Sequence, residues 1–287
     1  DVATGVGKTY VLAATIEYLA AEGVRDFAVI TPGRTILDKT VANFTPGHRK
    51  SLLTGMETRP VVITSENFAT PAMRAVMDDP SQVKLYIFTV QALLRPESKV
   101  GRRTHKFQEG LGAAFYEHLQ QVGKLTVFAD EHHAYYGRAF SAAVRGLRPW
   151  ALLGLTATPR KRTPPDQIIY RYPLAAAIAD KLVKTPVLVG RKDNRTDPLT
   201  KLLDGTRLLD LKEQAVARWC RETGAAPVTP VMLVIAPSID EAEEIERIVR
   251  DPGFAGGRYA DKVLTVHSEA PDEALAQLAG LEEPDNP

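Results

Sequence analysis

The sequence predicts an α/β fold, a doubly wound and mostly parallel sheet with helices on both faces. Three observations predict it. A glycine-rich stretch with a lysine opens the chain and runs straight into a helical pattern. Short apolar runs then alternate with helical stretches, as buried parallel strands alternate with their crossover helices. Two of those runs end in acidic or hydroxyl residues, which is how parallel strands deliver functional groups to one edge of a sheet.

Asp1-Val2-Ala3-Thr4-Gly5-Val6-Gly7-Lys8-Thr9 reads as a phosphate-binding loop that feeds a helix over residues 10–20. Glycines let the backbone curl so that several N–H groups face one anion, and the helix adds the positive end of its dipole. Lys8 then reaches the β- and γ-phosphates of a nucleotide, and the Thr9 hydroxyl takes one position on Mg²⁺. The general pattern has glycine at its first position, where Val2 stands, so a glycine-rich turn before an ordinary helix is the competing reading. No strand-length run precedes the loop, which predicts a first domain without its feeding strand and a chain that is part of something longer.

Phe27-Ala28-Val29-Ile30-Thr31, bounded by Asp26 and Pro32, is the next buried strand, and Thr31-Pro32-Gly33-Arg34 opens a helix through about Phe44. Strands follow at residues 61–64 and 85–89, each succeeded by a helical pattern. Residues 95–110 break the rhythm with Pro96, Gly101 and the basic cluster Lys99, Arg102, Arg103, His105 and Lys106; a solvated surface loop and a nucleic-acid contact both fit. A helix at 112–122, a strand at 125–130 and a strand at 151–156 complete the alternation.

Past Pro159 the charged, proline-rich run Arg160-Lys161-Arg162-Thr163-Pro164-Pro165-Asp166 reads as a linker. It predicts a first domain over residues 1–165 and a partial second domain over 166–287. The second shows helices near 174–182, 199–223 and 238–250 and strands near 186–189, 231–236 and 262–267. Three strands fall short of the five or six, roughly, that a full sheet of this type holds.

The chain is 287 residues long with 44% hydrophobic content, enough to bury one large core or two smaller ones. Lys and Arg total 36 against 35 Asp and Glu, so bulk charge points neither toward nucleic acid nor away from it, and a basic track must be local. The single cysteine, Cys220, excludes an intrachain disulfide and a cysteine-based zinc site, and it reads as a core thiol on a helix. No run approaches the roughly 20 apolar residues of a membrane span and no signal-peptide pattern opens the chain, which predicts a cytoplasmic protein.

Asp130-Glu131-His132-His133 leaves a strand directly, so two carboxylates project from the sheet edge toward the phosphate loop. Asp130 is suited to hold Mg²⁺ and Glu131 to orient the water that attacks a γ-phosphate. The competing zinc motif needs histidines four apart on a helix, whereas His132 and His133 are neighbours. One of them is expected to relay between the nucleotide and the second domain.

Taken in order, Ala3-Thr4-Gly5-Val6-Gly7-Lys8-Thr9, Asp130-Glu131-His132-His133 and Leu155-Thr156-Ala157-Thr158-Pro159 resemble motifs I, II and III of superfamily-two helicases and translocases. Within that superfamily the chain is similar to the type III restriction enzyme Res subunit group, a resemblance carried by Thr89-Val90-Gln91-Ala92-Leu93 and by the stretch from Tyr172 to Asp180 ahead of Lys184-Thr185-Pro186. The resemblance implies two RecA-like domains, with ATP and Mg²⁺ bound by Thr4, Gly5, Val6, Gly7, Lys8 and Thr9 together with Asp130. It implies hydrolysis by Glu131 and Asp130 with Lys8. Coupling to movement falls to His133, Thr156 and Thr158, and nucleic-acid contact to Arg34, Thr89 and Gln91. The arginines that the family supplies from its last motifs have no counterpart in these residues.

Two functions follow as expectations. The first is an ATP-dependent DNA helicase or translocase motor of a restriction or repair enzyme, partnered by DNA rather than RNA and by a modification or nuclease subunit. The second is an ATP-binding switch module without turnover. A GTPase is disfavoured because Arg191-Lys192-Asp193-Asn194 lacks the order of a guanine-reading element, and a small-molecule kinase leaves the Thr156 to Pro159 turn unexplained.

Overall fold

The computed structural model describes residues 2–3, 5–93, 113–135, 138–159, 161, 163–193 and 196–267. Two compact units divide the chain, Asp1–Pro186 and Val187–Pro287.

The first unit carries five strands, β1 (Asp26–Thr31), β2 (Val61–Ile63), β3 (Lys84–Thr89), β4 (Thr126–Asp130) and β5 (Ala151–Leu155). They form one sheet in the order β2-β3-β1-β4-β5, and every pairing is parallel. Parallel neighbours need crossovers, and helices supply them: α1 (Lys8–Ala21), α2 (Arg34–Asn43), α3 (Pro71–Asp78), α4 (Ala113–Gln121) and α5 (Arg138–Gly146).

Side chains alternate across a strand, so each strand feeds two cores. On one face Phe27, Val29, Leu85, Ile87 and Phe128 meet Leu12 and Ile16 of α1 and Leu37 and Val41 of α2. On the other, Ala28, Ile30, Phe88, Val127 and Ala129 meet Phe115 and Leu119 of α4, Val144 of α5, and Met73 and Val76 of α3. Both faces are covered, and for this reason the central strands read as unbroken apolar runs.

Register then fixes the working edge. Thr31 lies opposite Thr89, Ile30 opposite Ala129, Ala129 opposite Gly154 and Asp130 opposite Leu155. The C-terminal ends of β1, β3, β4 and β5 therefore stand level at one edge. Val2 joins that edge beyond β5, donating its N–H to Thr156 O at 2.9 Å and forming a parallel bridge with Tyr172. Ala3 donates to Tyr172 O at 3.0 Å. The phosphate loop thus leaves the sheet from a short extended piece held on both sides, and β5 separates it from β4.

The second unit holds α7 (Pro198–Thr223) and α8 (Ile239–Arg250); the short α6 (Leu174–Ala179) belongs to the first. Asp197 and Ser238 cap α7 and α8 through the N–H groups of Thr200 and Glu241. Leu202, Val249 and Phe254 form its small core. Arg258 pairs with Asp210 and, at 2.7 Å, with Glu213.

The runs at 186–189, 231–236 and 262–267, which the sequence reads as strands, join no sheet ladder among the described residues. Leu188, Leu233 and Ile235 are 100%, 81% and 83% exposed. A strand needs a hydrogen-bonded neighbouring strand as well as an apolar sequence, and the described residues set helices beside these runs instead: Met232 lies against Gly205 of α7, and Val263 O accepts from the Arg250 guanidinium of α8. Cys220 is also not a core thiol: it lies half-exposed near the end of α7, with Sγ 3.4 Å from Ala226 O.

Candidate functional site

The phosphate loop owes its shape to Gly5 and Gly7, whose φ angles of +83° and +91° lie in the left-handed region that side chains disfavour. Gly7 caps α1 with no side-chain hydrogen bond, so the amides of the first turn face the site. Thr4, assigned to this loop from sequence, lies outside the described residues, as does the basic run at 95–110. Val6 sits between the two glycines, and Lys8 and Thr9 follow in the first turn of α1.

Across the sheet edge, Asp130 ends β4 on the same face as Phe128, which packs against the α1 side of the sheet. Its Oδ1 accepts the Glu131 N–H at 3.0 Å. Burial, and then the neighbouring Glu131 charge, push the Asp130 carboxyl above its usual value, while the Glu131 N–H and Lys8 pull the other way. A carboxylate made uncomfortable in this way gains from a cation.

Glu131 adopts a left-handed φ of 49°, a conformation that costs a non-glycine residue on the order of 1 kcal/mol and recurs at functional sites. That turn swings its carboxylate toward the phosphate loop. Lys8 Nζ lies 3.0 Å from Oε1, and Nδ1 of His133 lies 3.4 Å from Oε2.

The chain of contacts continues into the third motif. His133 Nδ1 is 3.1 Å from Thr156 Oγ1 and 3.4 Å from Thr158 Oγ1, and Thr156 Oγ1 accepts the Thr158 N–H at 3.1 Å. A proton on Nδ1 would be donated to Glu131; a lone pair there would accept from a threonine hydroxyl. One imidazole nitrogen thus serves the carboxylate or the hydroxyls, and the choice sets which way the link runs. Thr156 is 5% exposed, so its hydroxyl has no solvent to fall back on.

The residues assigned to nucleic acid gather elsewhere on the same edge. Arg34 begins α2, where its guanidinium meets Asp38 at 2.9 Å and Glu66 at 2.8 Å. Arg34 and the buried Thr89 line one groove of about 720 Å³ between α2 and the edge strand β2. Gln91 donates from Nε2 to Pro32 O at 3.0 Å, tying the end of β3 to the loop before Arg34. Asn67 completes the groove wall: its amide donates to Val62 O and its Oδ1 accepts the Thr64 N–H, which seals the open edge of β2.

Sequence reasoning missed Glu66 and Asn67, because nothing in a polar stretch after a strand shows what it will face. The residues by themselves left His132 and His133 equivalent, and His133 was singled out for coupling only through the family resemblance. The structure separates them: His133 joins the motif II to motif III link, and His132 packs against Gly154 of β5.

The residues present fit a Mg²⁺-nucleotide. Amides at a helix start without a side-chain cap, with a lysine beside them, suit an anion, and a buried, destabilised carboxyl suits a cation. Among the described residues no group of three or more His, Cys, Asp or Glu side chains is placed to hold a metal by itself.

A phosphate loop whose lysine meets an Asp-Glu pair at the edge of a parallel sheet is the arrangement of RecA-like P-loop domains. The Thr156 turn touching that pair through a histidine makes this one a domain of helicase superfamily-two type. The family model described as type III restriction enzyme, res subunit, matches residues 1–161, more than half of the 287-residue chain, and the chain belongs to that family. Members of this helicase-type family use a nucleotide with Mg²⁺. No curated protein matches the chain. Among the described residues no helix is long and apolar enough to cross a membrane.

Proposed function

We propose that the chain is the ATP-dependent motor core of a restriction or repair enzyme, coupling ATP hydrolysis to movement along DNA in the cytoplasm. The observation that carries this reading is the unbroken link from Lys8 through Glu131 and His133 to Thr156, which joins three motifs by contacts of 3.0 to 3.4 Å.

Lys8 and the amides of Gly5, Val6, Gly7 and Thr9, with Thr4, hold the triphosphate. Thr9 and Asp130 would hold Mg²⁺, which neutralises phosphate charge when bound. Glu131 releases Lys8 to the phosphates and orients the attacking water, with His133 holding its second oxygen. As Glu131 changes partner, His133 exchanges Glu131 for Thr156 and Thr158, and this passes nucleotide state to the turn beyond β5. The functional division proposed is a first RecA-like domain over 1–165 and a partial second over 166–287, although the compact units divide at Pro186 and keep α6 with the first.

DNA is the track because the family is that of a restriction enzyme, and its naming as a subunit points to a modification or nuclease partner. Arg34, Thr89 and Gln91 grip the backbone, a contact insensitive to base sequence. ATP-driven displacement of a third strand from a duplex tests the motor. Displacement that Lys8→Ala abolishes supports it; nucleotide binding with no turnover, with or without DNA, sinks it in favour of a switch module.

A further inference from the structure

His132 stands between Glu131 and His133 and sits against the same edge, on Gly154 of β5. A Cβ placed on Gly154 would lie 2.6 Å from His132 Nδ1, 2.7 Å from Cγ and 3.0 Å from Cβ. The imidazole therefore fills the place that a side chain on β5 would occupy. Ala129 pairs with Gly154 and Asp130 with Leu155, so the loop after β4 turns back and lays His132 on the neighbouring strand.

We infer that His132 is a positioning residue: seated on Gly154, it locks the loop after β4 so that Glu131 faces Lys8 and His133 faces Thr156. This rests on the ATPase reading above. The seat lies between the two residues it would orient. Glu131 precedes it with a left-handed φ of 49°, and His133 follows with Nδ1 3.1 Å from Thr156 Oγ1. Rotating the ring about χ2 moves neither Cβ nor Cγ, so a methyl at position 154 either turns the side chain about χ1 and unseats the ring or pushes the loop, and Cβ at 3.0 Å must give in both cases. Either way the seat that holds the carboxylate and the second imidazole in place is lost.

The test compares Gly154→Ala, His132→Ala and the double variant for DNA-stimulated ATP turnover, with affinity for a fluorescent ATP analogue measured alongside. Displacing a catalytic group by about 1 Å costs on the order of a hundredfold in rate. Gly154→Ala is expected to lower kcat about tenfold to a hundredfold, with nucleotide affinity changed less than about threefold. His132→Ala, which leaves the seat unfilled, lowers kcat about tenfold by the same loss of positioning. In the double variant the alanine methyl fills the space the ring has left, so kcat rises above that of either single variant. A role in stability alone would leave kcat untouched. Wild-type turnover with both single variants within about twofold of it, or a double variant equal to the product of the singles, overturns the inference alone. A wild-type chain with no turnover overturns the motor reading and the inference with it.

Discussion

Lys8 Nζ and Glu131 Oε1 stand 3.0 Å apart, so the lysine that should hold phosphate and the carboxylate that should direct water neutralise one another. A triphosphate must compete with Glu131 for the lysine, and winning that competition frees the carboxylate. On the proposed reading, nucleotide binding and assembly of the hydrolytic site are one event. Replacing Glu131 with Gln removes the competing charge while keeping the shape. We expect Glu131→Gln to bind ATP more tightly, by about fivefold for a partly buried pair contributing ~1 kcal/mol, and to lose turnover by about a hundredfold or more. Equilibrium binding of a fluorescent ATP analogue checks the first and phosphate release the second; weaker binding would contradict the pairing.

Asp130 gives a pH dependence of known sign. Its native carboxyl titrates above the usual value, chiefly through burial, so the folded protein holds this proton more tightly than the unfolded chain does. The ionised group therefore lowers stability above the raised native value, and that penalty disappears as pH falls toward the ordinary carboxyl value. Asp130→Asn should raise Tm at pH 7, with the gain shrinking on acidification through the same window, while turnover is lost. Thermal melts at several pH values decide it, and a variant less stable than wild type at pH 7 would contradict the burial argument.

Thr156 holds two partners with one buried hydroxyl. Thr156→Val leaves the Thr158 N–H and His133 without it, at a cost of about 1–3 kcal/mol for the unsatisfied groups. Basal ATP turnover should fall less than about threefold, whereas DNA stimulation should largely vanish; Thr156→Ser should keep both. Steady-state rates across a DNA titration provide the comparison.

Arg34 shares its guanidinium between Asp38 and Glu66, two carboxylates that DNA phosphate would displace. Arg34→Ala should weaken DNA binding evenly across sequences and lower the salt slope by about one. Glu66→Gln should strengthen binding about twofold to fivefold, as expected for release of an exposed ion pair. Fluorescence anisotropy at several salt concentrations measures both.

Much of the first unit was legible because its central strands are buried on both faces. Residues 27–31 and 85–89 read as strands wherever helices cover both sides, and they do. Residues 231–236 have the same composition but no partner strand among the described residues, so the identical reading failed there. Strand preference expresses fit to an adjacent pleated surface, which composition alone does not carry. At the site, Lys8 was legible from the glycine-rich loop before α1, and Asp130 and Glu131 as carboxylates at the end of β4. Their pairings were not. The resemblance singled out His133, but the place of His132 follows from the register that sets Ala129 beside Gly154, and Arg34 shows its restraint only once Glu66 is brought to α2 from beyond β2.

The central claim is that one linked site hydrolyses ATP in answer to DNA. ATP turnover by the chain, with and without single-stranded and double-stranded DNA and with Lys8→Ala as the control, tests it most directly. The account predicts turnover that rises with DNA and disappears in the Lys8 variant. Nucleotide binding without turnover under every condition, or turnover indifferent to both DNA and Lys8, would contradict it.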